Sequence, residues 1–136
     1  MPNEYTLYGA PMSLYTGKAR AYLIFKKLPY NEVFSSLKVY KSIIVPNTGV
    51  RFVPVLKTPK DEYLQDTAMI IDTLEQRHPE RSITPESAKQ KLVSYLFETW
   101  ADEWLVIPAM HYRWNKANFP FIYEEFGKVI VPNMPR

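Results

Sequence analysis

A proline at the mouth of an apolar run constrains this chain more than any other feature. Arg51-Phe-Val-Pro-Val-Leu-Lys57 is rich in β-prone residues. Proline cannot donate to a sheet ladder, so Pro54 belongs at the start of a strand or on an edge. Thr58-Pro-Lys-Asp61 follows as a turn signal, and Glu62–Leu64 offers a second short apolar stretch. The pattern predicts a hairpin with strands over Phe52–Lys57 and Glu62–Leu64. Gln65-Asp-Thr-Ala-Met-Ile-Ile-Asp-Thr-Leu-Glu75 then reads as a helix capped by Asp66 or Thr67. Ile70, Ile71 and Leu74 supply its buried face, and Pro79 lies beyond its end.

Upstream, Glu4–Gly9 is β-prone, Ala10 and Pro11 make a turn, and Ser13 opens a helical period carried by Ala19, Leu23 and Lys26–Lys27. Leu28-Pro29 ends that helix, because proline pushes its predecessor out of helical geometry. Tyr30–Phe34 is a second strand. A strand, a helix and a strand in so short a stretch make a βαβ unit, right-handed with parallel strands. Ser35–Gly49 carries a helical hint at Leu37–Ile44 that Pro46 and Gly49 interrupt. The order β-α-β-α-β-β-α is that of an α/β, thioredoxin-like domain.

Residues 79–85 read as a connecting stretch. Thr84-Pro85-Glu86 predicts a helix start, with a hydroxyl at the N-cap, proline in the first position and an acid in the first turn. Leu92, Leu96, Trp100 and Trp104 recur at steps of four on the long helix that follows. Pro108 is expected to end or kink it. Asn118-Phe-Pro120 is a break, and Phe121–Val131 a further helix. The expected organisation is a first domain over 1–79, a linker over 80–85 and a partial all-α domain over 86–136.

Composition removes several functions. The net charge is +3 with acids and bases interspersed, so no basic stripe marks a nucleic-acid binder. Cysteine is absent, which excludes disulfides, cysteine-based zinc sites and an enzyme-cysteine redox mechanism. No apolar run approaches the ~18 residues that span a membrane. Glu4 and the lack of a basic leader argue against a signal peptide, so a cytoplasmic location is expected. Aromatic residues make up 15% of the chain and concentrate after residue 90, as in packed helices or an apolar cleft.

The polar candidates gather around three short segments. Ser13 stands where a hydroxyl would cap a helix, and the same hydroxyl suits a thiolate, since the helix dipole and a hydrogen bond both favour the anion. A cysteinyl thiol titrates near 8.5, and lowering that by two units takes about 2.7 kcal/mol. Tyr15 is the competing donor, with packing of the first helical turn as its plainer role. Tyr5 and Tyr8 read as sheet or core residues. Val53-Pro54 reads either as a trans proline at a strand start or as a cis peptide. If cis, the Val53 N–H and C=O turn outward to pair with a peptide ligand. Asp66 and Thr67 offer a carboxylate, a hydroxyl and helix N–H groups, which cap the helix and also suit an ammonium and a carboxylate. Arg51, Lys41 and Lys38 are surface charges or partners for a second carboxylate. His78 and His111 lack metal-ligand spacing, and Glu98, Asp102 and Glu103 have no His or Cys companion, so no metal site is expected.

The order of these segments resembles the glutathione S-transferase superfamily, in a bacterial-type, serine-like form. Leu7-Tyr-Gly-Ala-Pro-Met-Ser13 with Lys18 and Arg20 is similar to the opening of such proteins. Val53-Pro54-Val55-Leu56 resembles their cis-proline strand, and Gln65-Asp66-Thr67-Ala68-Met69-Ile70 their Glu/Asp-Ser-x-x-Ile motif. Tyr95–Trp114 is similar to the first long helix of their helical domain. The resemblance implies Ser13 as the catalytic thiolate stabiliser, Val53 and Pro54 as the cysteinyl anchor, Asp66 and Thr67 at the γ-glutamyl end, and Arg51 at the glycyl carboxylate. Tyr15, Trp104, His111 and Tyr112 are secondary candidates, with Met110 beside the last two. It further implies glutathione as co-substrate, an apolar electrophile, a role in detoxification and a homodimer. The alternative is a catalytically silent binding or interaction module of the same fold. Thr67 stands where serine is commoner, and the extra methyl restricts its rotamer. The helical domain is about half the expected length, as in a fragment or a shortened form.

Overall fold

The computed structural model describes residues 4–130. The chain divides into two compact units, one of residues 1–81 with 126–136 and one of Ser82–Glu125.

The first unit is built on a four-stranded mixed sheet of order β2-β1-β3-β4. Strands β1 (Tyr5–Gly9) and β2 (Tyr30–Phe34) run parallel, joined by α1 (Leu14–Lys26), as the βαβ reading predicts. β3 (Val55–Lys57) pairs antiparallel with β1 and with β4 (Tyr63–Gln65). The hairpin closes through Thr58 N–H to the Glu62 carbonyl at 2.8 Å. After β2 come α2 (Leu37–Val39), a π-helical turn over Tyr40–Ile44 and α3 (Val45–Thr48). α4 (Thr67–Arg77) follows β4. This is the thioredoxin-like α/β arrangement.

Alternation along the strands separates two cores. Tyr5, Leu7 and Leu56 face α1 and α4, packing with Ala19, Tyr22, Leu23, Ile70 and Leu74. Tyr8 and Val55 face the opposite way, toward Ile44, with Val39, Tyr40 and Val53 packed around them. A charged cluster closes the α1–α4 side. Lys26, its side chain only 1% exposed, pairs through its ammonium with Glu75 at 2.9 Å and donates to the carbonyls of His78 and Glu80. The Tyr22 phenol donates to the same Glu75 at 2.6 Å. Burial first, and then that carboxylate, pushes the Tyr22 phenol far above its ordinary value. On the rim, Arg20 holds Glu32 of β2 with two bonds of 2.8 and 2.6 Å, which gives this basic residue of α1 a structural partner.

Three local expectations change. The strand predicted over Phe52–Lys57 starts only at Val55, because Val53-Pro54 is cis and its chain leaves the ladder, with Phe52 67% exposed. The strand predicted at Glu62–Leu64 is shifted to Tyr63–Gln65. Pro46 does not interrupt the helical segment. It sits in the first turn of α3, after the wider π turn in which Val45 N–H reaches the Tyr40 carbonyl, so its missing N–H falls where the helical ladder is already reset.

In the second unit, α5 (Ala88–Glu103) starts at Ser87 and not at Thr84. Ser87 Oγ accepts from the Gln90 N–H at 3.2 Å, and Ser87-Ala-Lys-Gln90 has the spacing of a capping box. The helix stops at Trp104, ahead of Pro108, which lies within the first turn of α6 (Val106–Arg113). α7 (Phe119–Ile130) starts before Pro120, whose absent N–H is one of the groups a first turn leaves unpaired. The end expected for that helix at Val131 lies outside the described residues.

Candidate functional site

The sheet register brings the three polar segments to one edge. Tyr8 of β1 stands opposite Val55 of β3, and Val55 opposite Gln65 of β4. Just past that row the chain leaves the sheet three times: after Gly9 into the turn before Ser13, at Pro54 toward Val53, and at Asp66 into α4. Adjacent strands lie about 4.8 Å apart, so the three exits fall within ~10 Å across the sheet.

Ser13 is fixed by its turn. Its N–H donates to the Ala10 carbonyl at 3.1 Å, its carbonyl accepts from the Gly17 N–H at 3.0 Å, and its Oγ accepts from the Thr16 N–H at 3.2 Å. It is therefore the N-cap of α1. A serine hydroxyl that accepts one bond still carries its own proton to donate, and here that proton stands at the positive end of a 13-residue helix. Capping and anion binding are compatible at this atom. Tyr15 sits half-buried in the first turn of α1.

The turn depends on a residue that the sequence does not single out. Thr16 is fully buried, and its hydroxyl accepts from the Ala10 N–H at 3.3 Å. A Cβ on Gly9 would come within 2.2 Å of Thr16 Cγ2. The last residue of β1 must therefore lack a side chain for α1 to sit this close. Both residues position the Ser13 loop.

At the third exit, Asp66 rather than Thr67 is the N-cap, accepting from the Ala68 N–H at 2.9 Å. Its backbone has φ 82° and ψ 136°, a conformation rare for a residue with a side chain and costing on the order of 1–3 kcal/mol. Thr67 is 3% exposed. Carboxylate, hydroxyl and unpaired helix N–H groups thus meet at a single position.

Val53 is half-buried, and Pro54 is buried in the cis form. Among the described residues the Val53 N–H and C=O have no backbone partner. Arg51 and Lys41 are exposed and have no ion-pair partner among the described residues. Together with Leu37, Tyr40 and Val45 they line a cleft of about 360 Å3. Burial raises the Tyr40 phenol above its ordinary value, which keeps it a neutral donor. Lys38 is exposed and does not line that cleft. His78 is engaged with the Tyr5 hydroxyl at 2.9 Å.

Trp104, Met110, His111 and Tyr112 belong to the second unit. Trp104 is 60% and Tyr112 67% exposed, and the His111 and Tyr112 rings meet edge-on at 5.4 Å. Among the described residues no group of three or more His, Asp or Glu is placed to hold a metal ion, and no helix is long and apolar enough to cross a membrane.

Residues 7–82 match the family model described as glutathione S-transferase, N-terminal domain. No curated protein sequence matches the chain. Among solved structures, it is similar to a glutathione S-transferase from Rhodospirillum rubrum F11 at 24% identity and TM-score 0.68, covering 73% of this chain and 45% of that one. A glutathione S-transferase from Methylobacterium radiotolerans, in complex with glutathione sulfonate, is 22% identical with TM-score 0.67, over 93% of this chain and 62% of that one. One from Methylobacillus flagellatus, with glutathione bound, is 23% identical with TM-score 0.66, over 92% and 64%. The chain thus spans less than two thirds of the length of each of these structures.

Proposed function

The chain belongs to the glutathione S-transferase family, and on that premise we propose that it binds glutathione and transfers its thiolate to an apolar electrophile. What supports this reading is the register that sets Tyr8, Val55 and Gln65 in one row, so that the segments carrying Ser13, Val53 and Asp66–Thr67 all adjoin the same end of the sheet. In this reading the Val53 N–H and C=O pair with the cysteinyl backbone, its strand running antiparallel beside Pro54. The Asp66 carboxylate takes the γ-glutamyl ammonium. The Thr67 hydroxyl and the first N–H groups of α4 take the γ-glutamyl carboxylate. Arg51 takes the glycyl carboxylate.

The cysteinyl sulfur then lies at the start of α1. Ser13 Oγ–H donates to it, and the helix N-terminus favours its negative charge. The thiolate attacks the electrophilic carbon, a C–S bond forms, and the leaving group departs with the bonding electrons. Orientation and thiolate stabilisation supply the rate, with no covalent enzyme intermediate. The domain over 1–79 carries glutathione in this reading, and 80–85 serves as the linker. The segment 86–136 is the partial helical domain in this reading, with Trp104, His111 and Tyr112 as its own candidate residues. A homodimer is the assembly proposed.

Ultraviolet titration of glutathione bound to the purified chain tests the reading. The bound thiol is expected to titrate about two units below 8.5, and Ser13→Ala to return at least one unit, worth about 1.4 kcal/mol, with a matching fall in turnover. An unchanged thiol pKa and unchanged turnover in Ser13→Ala would remove Ser13 from the mechanism. Saturable binding without turnover of any electrophile would replace the transferase by a glutathione-binding module.

A further inference from the structure

The turn that carries Ser13 is closed by a ring of hydrogen bonds among three residues. The Ala10 N–H donates to Thr16 Oγ1 at 3.3 Å, the Thr16 N–H donates to Ser13 Oγ at 3.2 Å, and the Ser13 N–H donates to the Ala10 carbonyl at 3.1 Å. Each residue gives one bond and takes one, so a shift of any member is felt by the other two. An N-cap by itself needs only the second of these bonds. In a capping box, the side chain at the third helical position reaches back to the N-cap N–H. Here the Ala10 carbonyl has taken the Ser13 N–H, and Thr16 reaches three residues farther back, to Ala10.

Thr16 is the member of the ring anchored to the sheet. It is fully buried, and both branches of its side chain face the end of β1. A Cβ on Gly9 would stand 2.2 Å from Thr16 Cγ2 and 2.8 Å from Thr16 Oγ1. Gly9 is itself held, because its carbonyl accepts the Ser35 N–H at 2.9 Å and its backbone pairs with Phe34 of β2. A β-branched side chain has few χ1 choices, and contact on both branches fixes the one that aims the hydroxyl at Ala10. The sheet therefore sets Thr16, and Thr16 sets the Ser13 hydroxyl from two sides. Such accuracy matters to a hydrogen-bond donor, since a misplacement of about 1 Å at a reacting group can cost ~100-fold in rate.

We propose that Thr16 is the positioning residue of the thiolate site. Through its hydroxyl and its backbone N–H it sets the place and direction of the Ser13 hydroxyl without touching the ligand. This rests on the transferase reading above and adds to it the residue that aims its donor.

Ultraviolet titration of glutathione bound to the full chain tests it, because a role confined to stability would not move the bound thiol pKa. Thr16→Val keeps the shape of the side chain and removes the hydroxyl, and it is expected to raise that pKa by about half a unit to one unit. Glutathione affinity at about pH 5, where the thiol keeps its proton, is expected to stay within about twofold. Thr16→Ser returns the oxygen and should recover most of the shift. Combined with Ser13→Ala, Thr16→Val is expected to add less than about 0.2 unit, since its effect passes through Ser13. Thr16→Ala makes the same measurement with a smaller side chain if the valine variant does not fold. A raised thiol pKa in Ser13→Ala with none in Thr16→Val or Thr16→Ala overturns the positioning role and leaves the transferase reading intact. Equal shifts from Thr16→Val with and without Ser13 also overturn it. An unchanged pKa in Ser13→Ala itself overturns both.

Discussion

The two units hold comparable apolar sequence and spend it differently. In the first, Leu7, Leu23, Leu56, Ile70 and Leu74 are wholly inaccessible between the sheet and α1 and α4. In the second, Leu92, Leu96, Trp100 and Trp104 repeat with a clean helical period, yet all four are between 49% and 62% exposed. A hydrophobic stripe states that a face is meant to be covered, and only tertiary packing says whether it is. Burial, more than composition, sets which residues each unit cannot lose.

Substitution makes that contrast measurable by denaturant unfolding. Leu23→Ala, at a site with no solvent access, is expected to cost about 3–5 kcal/mol. Lys26→Ala removes the buried cation that pairs with Glu75 in the same unit, and about 3 kcal/mol is expected. A loss under 1 kcal/mol at either site would place the two units on the same footing. The alkaline limb adds a second reading of the first core. Because the buried Tyr22 phenol titrates above its ordinary value, the unfolded chain releases its proton first. Its stabilisation is complete below pH ~10 and falls above that, by up to about 1.4 kcal/mol per pH unit. Tyr22→Phe should flatten this decline, and an unchanged slope would assign it to other groups.

Smaller effects sharpen the comparison at the site and in the second unit. Asp66→Ala removes a cap and puts another side chain at φ 82°, so about 1–2 kcal/mol of stability should go. Asp66→Gly should lose only a few tenths, because glycine accepts that backbone. Both variants should bind glutathione more weakly. Equal affinity in the parent and both variants would dissociate the carboxylate from the ligand. Leu96→Ser on α5 is expected to stay within about 0.5 kcal/mol, and a larger loss would mean that the exposed stripe is covered in solution.

What the sequence made legible was local. Tyr30–Phe34, the hairpin turn, the Asp66 cap and the break near Pro79 each depend on neighbours in the chain. Pro54 marked the start of a strand for the same reason. The α5 start was also written locally, in the Ser87-x-x-Gln90 spacing, but the Thr84-Pro85-Glu86 signal competed with it. The remaining features needed contacts between distant residues. Nothing around Gly9 shows that Thr16 will press against it. Lys26 reads as one end of a surface helix until Glu75 and the His78 carbonyl close over it. Phe52 looked like strand until the chain turned out of the ladder at Val53. The candidate site was legible as three motifs, and their common edge appears only with the register of β1, β3 and β4.

The π turn over Tyr40–Ile44 carries one more consequence. A helix turns about 100° per residue, so lengthening or shortening this segment by one swings everything after it around the axis. Leu37 and Val45, on either side of the turn, would no longer share a wall, although no side chain had been exchanged. The shape of this cleft is therefore open to revision by insertion and deletion, a route that scanning point substitutions alone would never sample.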